Sequence, residues 1–599
     1  MNNNEENRAH MEDDEDEGDE DYQYEEAAED DDDGEEDEDE DEDGDDDDGE
    51  DIEVDIYDYA EEDDNDESHD EDDIFMDEDE DDDGDGTTTI DLADLLGDGV
   101  EGQPTRIHQL VEIMRALQGR SRMSTVRRPP RTPSPIPEPD REKGIELLNS
   151  GEFGRVDSAY IPAKDFKKKS IARRLWMREL KPRSINPLGL GESILPDNPG
   201  RVIDVYNAAA YSGQYSEDGS LFATCDRDFQ LRIYKTAGNK LIRERVIQGM
   251  PGRWTITDHN LSLDNHWLIY SSITPYVYLT RTAADAPATH HQLDFSTDED
   301  GEGLWSVRFS GDGREIVAGG RGRIYVYDIE SRTVLHSVEA HNGDVNAVCF
   351  AEPSSSQVLF SGSDDRLVKV WDRRSMSAGR YSTPSGVLVG HSEGITYVTS
   401  KGDNRYLASN GKDQKMLLWD LRMMHSRREY AELPKPKNTG FDYRTDRYTG
   451  RRSYKVPGDC SVMAFQGHKV LKTLIRCHFS PAHTTGQRYL YTGSSDGKVA
   501  IYRLDGTLVR TLDTRKAFQR YLKADQPSDY AARDVSWHPY YPTIVSSCVA
   551  DYYAFTDTPG GIVQHSFTQA GDLESDMSEE ETLPPPPPLR QRQRRTFLF

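Results

Sequence analysis

The clearest pattern in this chain is EAHNGDVNAVCFAEPSSSQVLFSGSDDRLVKVWDRR (residues 339–374), which returns as LVGHSEGITYVTSKGDNRYLASNGKDQKMLLWDLR (residues 388–422). Both stretches contain a His, an apolar run, a Ser, an Asp in a turn and Trp-Asp-x-Arg, in that order. His341 and His391, near the start of the two copies, lie 50 positions apart. A pattern that returns at this spacing indicates repeated supersecondary units.

Each copy is typical of a small antiparallel β-sheet. Apolar and polar residues alternate in VNAVCF (345–350), QVLFSG (357–362) and LVKVWD (367–372), as they do in half-buried strands. SDDR (363–366) is typical of a hairpin turn. A single sheet of this kind cannot bury its apolar faces alone, so we expect the repeats to pack around a common axis.

The recurring polar residues suit a structural role. In each copy the His, Ser, Asp and Trp can join two strands and a turn through hydrogen bonds, each worth about 1 kcal/mol. Ser, His and Asp also form catalytic triads, but an active site occurs once in a protein, whereas this set recurs in each copy. We therefore predict two structural hydrogen-bonded sets, which are His341, Ser361, Asp365, Trp371 and His391, Ser409, Asp413, Trp419.

These residues resemble the WD40 repeat, a family that forms β-propellers and usually serves as a binding platform. Weaker copies before and after the clear pair extend the pattern over residues 201–560, so we predict an all-β, seven-bladed WD40 propeller. A strand near 201–210 is expected to complete the last blade. Residues 423–466 form a long insertion, and insertions of this length are usually functional or partly disordered.

The charge of the chain is concentrated at one end. The formal net charge is −47, yet residues 1–90 contain 54 acidic residues and a single basic one, Arg8. The remaining 509 residues contain 62 acidic and 68 basic residues, so the repeat region is slightly basic. Because like charges repel and apolar residues are scarce, we predict a disordered acidic tail over 1–86. This tail keeps the protein soluble, binds basic proteins such as histones, or screens a basic face of the same molecule.

The regions that flank the repeats predict little regular structure. Residues 87–200 combine short amphipathic helices, at 88–96 and 106–117, with a basic, Pro-rich linker. The cluster KKKSIARR (167–174) is either a solvated basic helix or a nuclear import signal. Residues 561–599 contain five consecutive Pro residues and predict a second disordered tail.

Motifs that mark enzymatic chemistry are missing from the sequence. It contains no GxxxxGKS, no HExxH and no nucleophile elbow, and its five Cys residues form no CxxC pair. The first residues lack an apolar signal region, and no apolar run is long enough to span a membrane. We therefore expect a soluble intracellular protein that is not an enzyme, holds no cofactor or metal and does not bind membranes. Direct nucleic-acid binding is disfavoured because the acidic segment repels phosphate.

The two Trp-Asp-x-Arg tetrapeptides predict a partner-binding site. An Arg that directly follows a strand presents a rigid, permanently charged fork at the edge of the sheet. The tetrapeptides resemble a box in the WD40 substrate receptors of cullin-4 ubiquitin ligases. In those receptors the box contacts a triple-propeller adaptor, the large subunit of damage-specific DNA-binding protein. The resemblance implies that this adaptor is bound by Asp372, Arg374, Asp420 and Arg422.

The same resemblance implies a non-catalytic subunit of a cullin-4 RING E3 ligase in the nucleus and cytoplasm. The implied substrate is a stress-response transcription factor of the cap'n'collar type, which is ubiquitinated and then degraded by the proteasome. Another class of function is also compatible with the sequence. This is a WD40 scaffold outside ligases, or a chaperone whose acidic tail binds basic clients such as histones or ribosomal proteins.

A second candidate surface follows from the register of the repeats. Turns between the second and third strands of successive sheets lie on one rim, because alternate turns of an antiparallel sheet share an edge. Several of these turns carry cations, which are Arg227, Arg321, Arg323, Arg366, Lys412, Lys415 and Lys498. A ring of cations attracts an acidic peptide, so we hypothesise that this face binds the substrate. Exposed hairpins also carry Lys or Arg without any such role, and this simpler interpretation stays open.

Overall fold

The computed structural model describes residues 136–153, 195–297, 303–376, 382–434, 439–450, 453–522, 530–550 and 560–567. The acidic segment over 1–86, the helices predicted at 88–96 and 106–117, and the basic cluster at 167–174 lie outside the described residues. Within them, β-strands dominate. The α-helices of the described part are α1 (Arg141–Asn149), α2 (Arg427–Glu432), α3 (Ala482–Thr485) and α4 (Thr514–Leu522).

The strands pair with their neighbours along the chain in antiparallel fashion. After β1 (Arg201–Tyr206), a four-stranded sheet contains β2 (Ala210–Tyr215), β3 (Leu221–Asp226), β4 (Gln230–Ala237) and β5 (Lys240–Gln248). The next four-stranded sheet contains β6 (Ile256–Leu261), β7 (Trp267–Ser272), β8 (Tyr276–Arg281) and β9 (His290–Asp294). A seven-stranded sheet then contains β10 (Ser306–Phe309), β11 (Glu315–Gly319), β12 (Arg321–Asp328), β13 (Thr333–Glu352), β14 (Ser355–Ser363), β15 (Val368–Asp372) and β16 (Gly386–Leu388).

Three four-stranded sheets complete the described part of the chain. One contains β17 (Ile395–Ser400), β18 (Tyr406–Gly411), β19 (Lys415–Asp420) and β20 (Met463–Gln466). The next contains β21 (Cys477–Phe479), β22 (Tyr489–Thr492), β23 (Lys498–Arg503) and β24 (Leu508–Asp513). The last sheet joins β1 to β25 (Tyr530–Trp537), β26 (Thr543–Ala550) and β27 (Gly560–Ser566).

The sheets form a closed ring. The first strands of successive repeats contact each other in the order β2, β6, β10, β13, β17, β21 and β25, and β25 in turn contacts β2. The strand β1 pairs with β27, so the strand predicted near 201–210 does complete the last sheet. This all-β arrangement is a propeller. The last strand ends at Ser566, past the boundary expected at 560, so the predicted tail over 561–599 begins within a strand.

The strand β13 departs from the expected pattern. It runs through 20 residues without a break, pairing with β12 along its first half and with β14 along its second half. Two repeats therefore share one strand and form a single seven-stranded sheet. The described chain has six sheets, whereas the sequence predicted seven blades.

Apolar side chains fill the spaces between the sheets. Trp371 and Trp419 are buried in two separate apolar clusters, each built from several strands. The cluster around Trp419 also contains Leu147, Leu148 and Phe153, from α1 and the residues after it. The sequence assigned this segment to a linker, but it is part of the core.

Charged side chains link strands across the middle of the ring. Arg476, next to β21, contacts Asp534 of the adjacent β25 at 3.1 Å and Asp258 of β6, two strands further round, at 2.8 Å. Arg308 of β10 holds the other oxygen of Asp258 at 2.6 Å. Burial raises the pKa of Asp258, but Arg308 and Arg476 outweigh burial and lower this pKa to about 2. Because breaking a buried ion pair leaves an uncompensated charge, this network opposes any separation of these strands.

Candidate partner-binding corners and the opposite face

The first predicted hydrogen-bonded set lies in the seven-stranded sheet. His341 Nδ1 lies 2.8 Å from Asp365 Oδ2, and its Nε2 lies 2.7 Å from Ser361 Oγ. Trp371 donates from Nε1 to the same Ser361 oxygen at 2.9 Å. Burial lowers the pKa of His341 and outweighs the opposing effect of Asp365, so the imidazole acts as a neutral hydrogen-bonding group.

The second set repeats this geometry in the β17–β20 sheet. His391 Nδ1 lies 3.1 Å from Asp413 Oδ1, and its Nε2 lies 2.7 Å from Ser409 Oγ. Trp419 donates to that Ser409 oxygen at 2.8 Å. Ser409, like Ser361 in the first set, is fully buried. Because neither hydroxyl reaches the surface, the sets brace their repeats and are not placed to act on a substrate.

The first Trp-Asp-x-Arg tetrapeptide forms a corner at the end of β15. A short 3-10 helix (Arg373–Ser375) follows the strand, and Asp372 caps it by accepting from the backbone N–H of Arg374 at 3.0 Å. Arg374 Nε and Nη2 donate to the same carboxylate at 3.0 and 2.6 Å. The Arg374 side chain nevertheless stays 75% exposed. We name Asp372 and Arg374 corner 1.

The second tetrapeptide forms an equivalent corner at the end of β19. Asp420 caps a 3-10 helix (Leu421–Met423) by accepting from the backbone N–H of Arg422 at 3.0 Å. Arg422 Nε and Nη2 donate to Asp420 at 3.1 and 2.7 Å, and the Arg422 side chain is 67% exposed. We name Asp420 and Arg422 corner 2. Both corners thus present a guanidinium fork whose orientation is fixed by its own Asp.

Two further charged residues, which sequence reasoning missed, lie beside corner 2. Arg405 donates from Nε and Nη2 to Asp420 Oδ2 at 3.2 and 3.1 Å. Its Nη1 donates to Glu152, which also accepts from Tyr406 O–H at 2.5 Å. Glu152 lies 253 positions before Arg405 and outside every repeat, so no local pattern connects the two residues.

The predicted cationic face lies on the other side of the ring. Both corners follow the third strand of a repeat, and such turns lie on the edge opposite to the turns after the second strand. Arg227 and Arg321 are exposed on that face, and Arg366 is half buried. Three other predicted cations form ion pairs, which are Lys412–Asp364 (2.7 Å), Arg323–Glu339 (2.9 Å) and Lys498–Asp496 (3.8 Å). The net positive charge of this face is therefore lower than the sequence suggested.

The insertion over 423–466 also makes the cationic face differ from the one that the sequence predicted. Its last residues form β20, which pairs with β19, so the insertion ends within the β17–β20 sheet and does not separate two sheets. Lys415 is buried beneath it, and its Nζ donates to the Tyr454 carbonyl at 2.6 Å, so Lys415 cannot contribute to the cationic face. The Tyr443 ring lies 4.3 Å from the ammonium group of Lys412. The insertion thus covers the turn between β18 and β19.

Sequence reasoning also missed a buried cation near the start of β25. Arg533 donates from Nη1 to the Tyr211 carbonyl and from Nε to Thr473 Oγ1 at 3.2 Å, so both acceptors are uncharged. Burial, together with repulsion from Arg476, lowers the pKa of Arg533 to about 10. The partly exposed Trp254 packs edge-on against Tyr211 at 5.4 Å between ring centroids. The Arg533 guanidinium also lies 5.0 Å from the Tyr211 ring centroid, so a buried cation and an aromatic pair meet beside β2.

The described residues provide neither a metal-binding group nor a membrane-spanning helix. No group of three or more His, Cys, Asp or Glu side chains in this part of the chain is placed to hold a metal ion. None of the described helices is both long and apolar enough to cross a bilayer. All five Cys residues are free thiols, and four of them are buried.

Comparison with known proteins places these features in a family. Residues 332–372 and 382–420 match the family described as WD domain, G-beta repeat. The chain is 42% identical over 379 residues to a LEC14B homolog of Prunus armeniaca, covering 61% of this chain and 76% of that protein. It is 43% identical over 366 residues to the LEC14B protein of Lithospermum erythrorhizon, covering 59% and 73%. It is 32% identical over 402 residues to the DDB1- and CUL4-associated factor 11 homolog of Caenorhabditis elegans, covering 63% and 67%.

The ring of sheets and the repeated motif define a WD-repeat β-propeller protein with two exposed guanidinium forks. The chain belongs to the family that includes the LEC14B proteins and DDB1- and CUL4-associated factor 11. The runs GDVNAVCF, VLFSGSDD, VKVWDRR, LIRCHFSP and ARDVSWHP predict a likeness to WD-repeat protein 23, another name for that factor. This prediction is confirmed.

Proposed function

We propose that this chain is the substrate receptor of a cullin-4 RING ubiquitin ligase and that corners 1 and 2 bind the ligase's adaptor. The proposal is carried by one observation: Arg374 and Arg422 are 75% and 67% exposed, and each is oriented by its own Asp. The name of the relative DDB1- and CUL4-associated factor 11 supports it, because the name states an association with DDB1 and CUL4. In this proposal the chain supplies no catalytic group and only holds a substrate near the ligase.

The proposal includes a count of seven blades. The first half of β13 belongs with β10, β11 and β12, and its second half belongs with β14, β15 and β16. Counted in this way, the ring has seven four-stranded blades, and corners 1 and 2 lie on consecutive blades. Two forks on neighbouring blades can contact one partner surface together.

The test of the adaptor site is a double substitution, R374A with R422A. We expect the variant to lose the large subunit of damage-specific DNA-binding protein and cullin-4 in affinity purification, because both forks are gone. The matched control is R314A, which removes an exposed Arg from the β10–β11 turn on the same edge of the ring. Retention of adaptor and cullin by the double variant would refute the proposed function.

For the substrate, we propose an acidic segment of a cap'n'collar-type stress-response transcription factor, ubiquitinated in the nucleus or cytoplasm and degraded by the proteasome. The exposed Arg227 and Arg321 support an acidic ligand on the face opposite to the corners. Trp254, which is 40% exposed in the loop between β5 and β6, adds an apolar side chain on this face. We expect R227E with R321E to weaken binding of the transcription factor and to leave adaptor binding intact. Unchanged binding of the transcription factor would remove the substrate proposal only.

A second candidate function rests on the acidic N-terminal segment. The 54 acidic residues within 1–90 suit a scaffold or chaperone that binds histones or ribosomal proteins. In that case, deletion of residues 1–86 removes the main partners, and substitution of the two corner arginines does not. Affinity purification of both variants side by side separates the two functions.

A further inference from the structure

We propose that Glu152, which lies outside the repeats, is a positioning residue for corner 2 and so takes part in adaptor binding. The inference rests on the proposed function, because it concerns how the Arg422 fork is held. It assigns a role to a residue that the repeat pattern does not contain.

The segment is firmly packed where it reaches corner 2. Phe153 is fully buried, and its ring meets the Tyr406 ring at 4.8 Å between centroids. Lys401 Nζ donates to the Glu152 carbonyl at 2.8 Å, and Tyr406 O–H donates to the Glu152 carboxylate at 2.5 Å. The Glu152 carboxylate is therefore held in place from both its backbone and its side chain.

The charges at corner 2 alternate in sign. Asp420 is shared by two cations, because Arg405 and Arg422 both donate to its Oδ2 atom. One carboxylate cannot neutralise two guanidinium groups, and Glu152 supplies the second negative charge by binding Arg405 Nη1. The side chains of Glu152, Arg405 and Asp420 are 31%, 24% and 7% exposed, so these charges are screened less than those on an open surface.

Loss of the Glu152 charge changes the balance around Asp420. Among the described residues, Arg405 then keeps one carboxylate partner, Asp420, and is drawn more strongly toward Oδ2. This oxygen also accepts from Arg422 Nη2 at 2.7 Å, so the Arg422 fork is held less firmly. A fork that is already ordered loses less conformational freedom when it binds. A looser fork therefore binds the adaptor more weakly, even though its own charge is unchanged.

Corner 1 provides an internal control. Arg373, the neighbour of Arg374, forms its ion pair with Glu315 of β11. The described contacts of Asp372 include no second guanidinium, in contrast to those of Asp420. A substitution at Glu152 should therefore act through Arg422 and not through Arg374.

The experiment measures adaptor affinity of the full chain for E152Q alone and in the R422A and R374A backgrounds. We expect E152Q to weaken binding about fivefold, within the range seen for charged residues in contact. We expect the same loss in the R374A background and no further loss in the R422A background, which lacks the fork. E146Q, an exposed position on α1, is the matched control and should leave affinity unchanged.

A rescue distinguishes positioning from a merely structural role. In the variant with both E152Q and R405Q, the competing Arg405 guanidinium is gone. Asp420 then accepts hydrogen bonds from the Arg422 guanidinium without competition, and the affinity for the adaptor should recover. An unchanged affinity in E152Q, an equal loss in both Arg backgrounds, or a failure of R405Q to rescue would each overturn the inference. If R422A and R374A themselves leave affinity unchanged, the proposed function fails, and the two failures are thus distinguishable.

Discussion

Corners 1 and 2 are built from the same tetrapeptide but have different surroundings. The Asp372 side chain is 28% exposed, whereas the Asp420 side chain is 7% exposed. In corner 1 the third residue of the tetrapeptide is Arg373, which pairs with a glutamate of β11. In corner 2 it is Leu421, which packs against the core, and a second guanidinium, that of Arg405, binds the Asp of the corner. The local motif thus sets the shape of each fork, while the rest of the chain sets how strongly it is braced.

The largest expected effect tests whether the repeats behind the two corners contribute equally to the stability of the fold. Trp371 and Trp419 are 1% and 0% exposed, and replacement of a buried Trp by Ala costs about 3–5 kcal/mol. We expect W371A and W419A each to lower the free energy of unfolding by this amount in chemical denaturation. W267A, at a half-buried position of β7, is the control with a smaller loss. A large loss in one variant alone would show that only one repeat supports its corner.

A medium effect tests the difference between the two corner carboxylates. D420A leaves Arg405 and Arg422 without the carboxylate that they share, and we expect a cost of about 2 kcal/mol, typical of lost hydrogen bonds to charged groups. D372A removes an exposed contact, so we expect no measurable change in the free energy of unfolding. Denaturant titrations of both variants check this, and equal losses would contradict the contrast between the corners.

The smallest effect concerns pH and the repeat behind corner 1. Burial holds the pKa of His341 below its usual range, while the unfolded chain takes up a proton near pH 6.5. The unfolded state therefore binds more protons below pH 6.5, and stability falls as the pH decreases. Between pH 7 and pH 5.5 we expect His341 to account for at most about 1.3 kcal/mol. Urea titrations across this range should show a weaker pH dependence for H341Q, and an unchanged dependence would contradict this.

Features that depend on the register of a single repeat could be predicted from the sequence. The strands of the two clear copies and the contacts among His341, Ser361 and Trp371 follow from spacing within one repeat. Features that depend on contacts between distant segments could not be predicted from the sequence. The contact between Glu152 and Arg405 crosses 253 positions, and the insertion buries Lys415 from outside its own hairpin.

Degenerate repeats show the same limit. In the β21–β24 sheet, Tyr502 takes the place of the Trp, and its hydroxyl lies 3.2 Å from His468 Nδ1. The second nitrogen of His468 turns to Asn410 of the preceding sheet at 2.9 Å. Asp496, which matches the repeat's turn position, lies 3.8 Å from Lys498 instead. In this repeat, where Tyr replaces Trp, the His468 side chain therefore binds a residue of the neighbouring sheet. Spacing within the repeat cannot reveal that contact.

The unbroken strand β13 makes one joint of the ring unlike the joint between β5 and β6, where residues 249–255 form a loop. Such a loop can take up an extra residue without moving the strands on either side of it. An extra residue within β13 would turn the later side chains of the strand to the opposite face. The pairings of β13 already contain irregular steps, so a further residue there would need another bulge, whereas the loop over 249–255 can lengthen without disturbing a pairing.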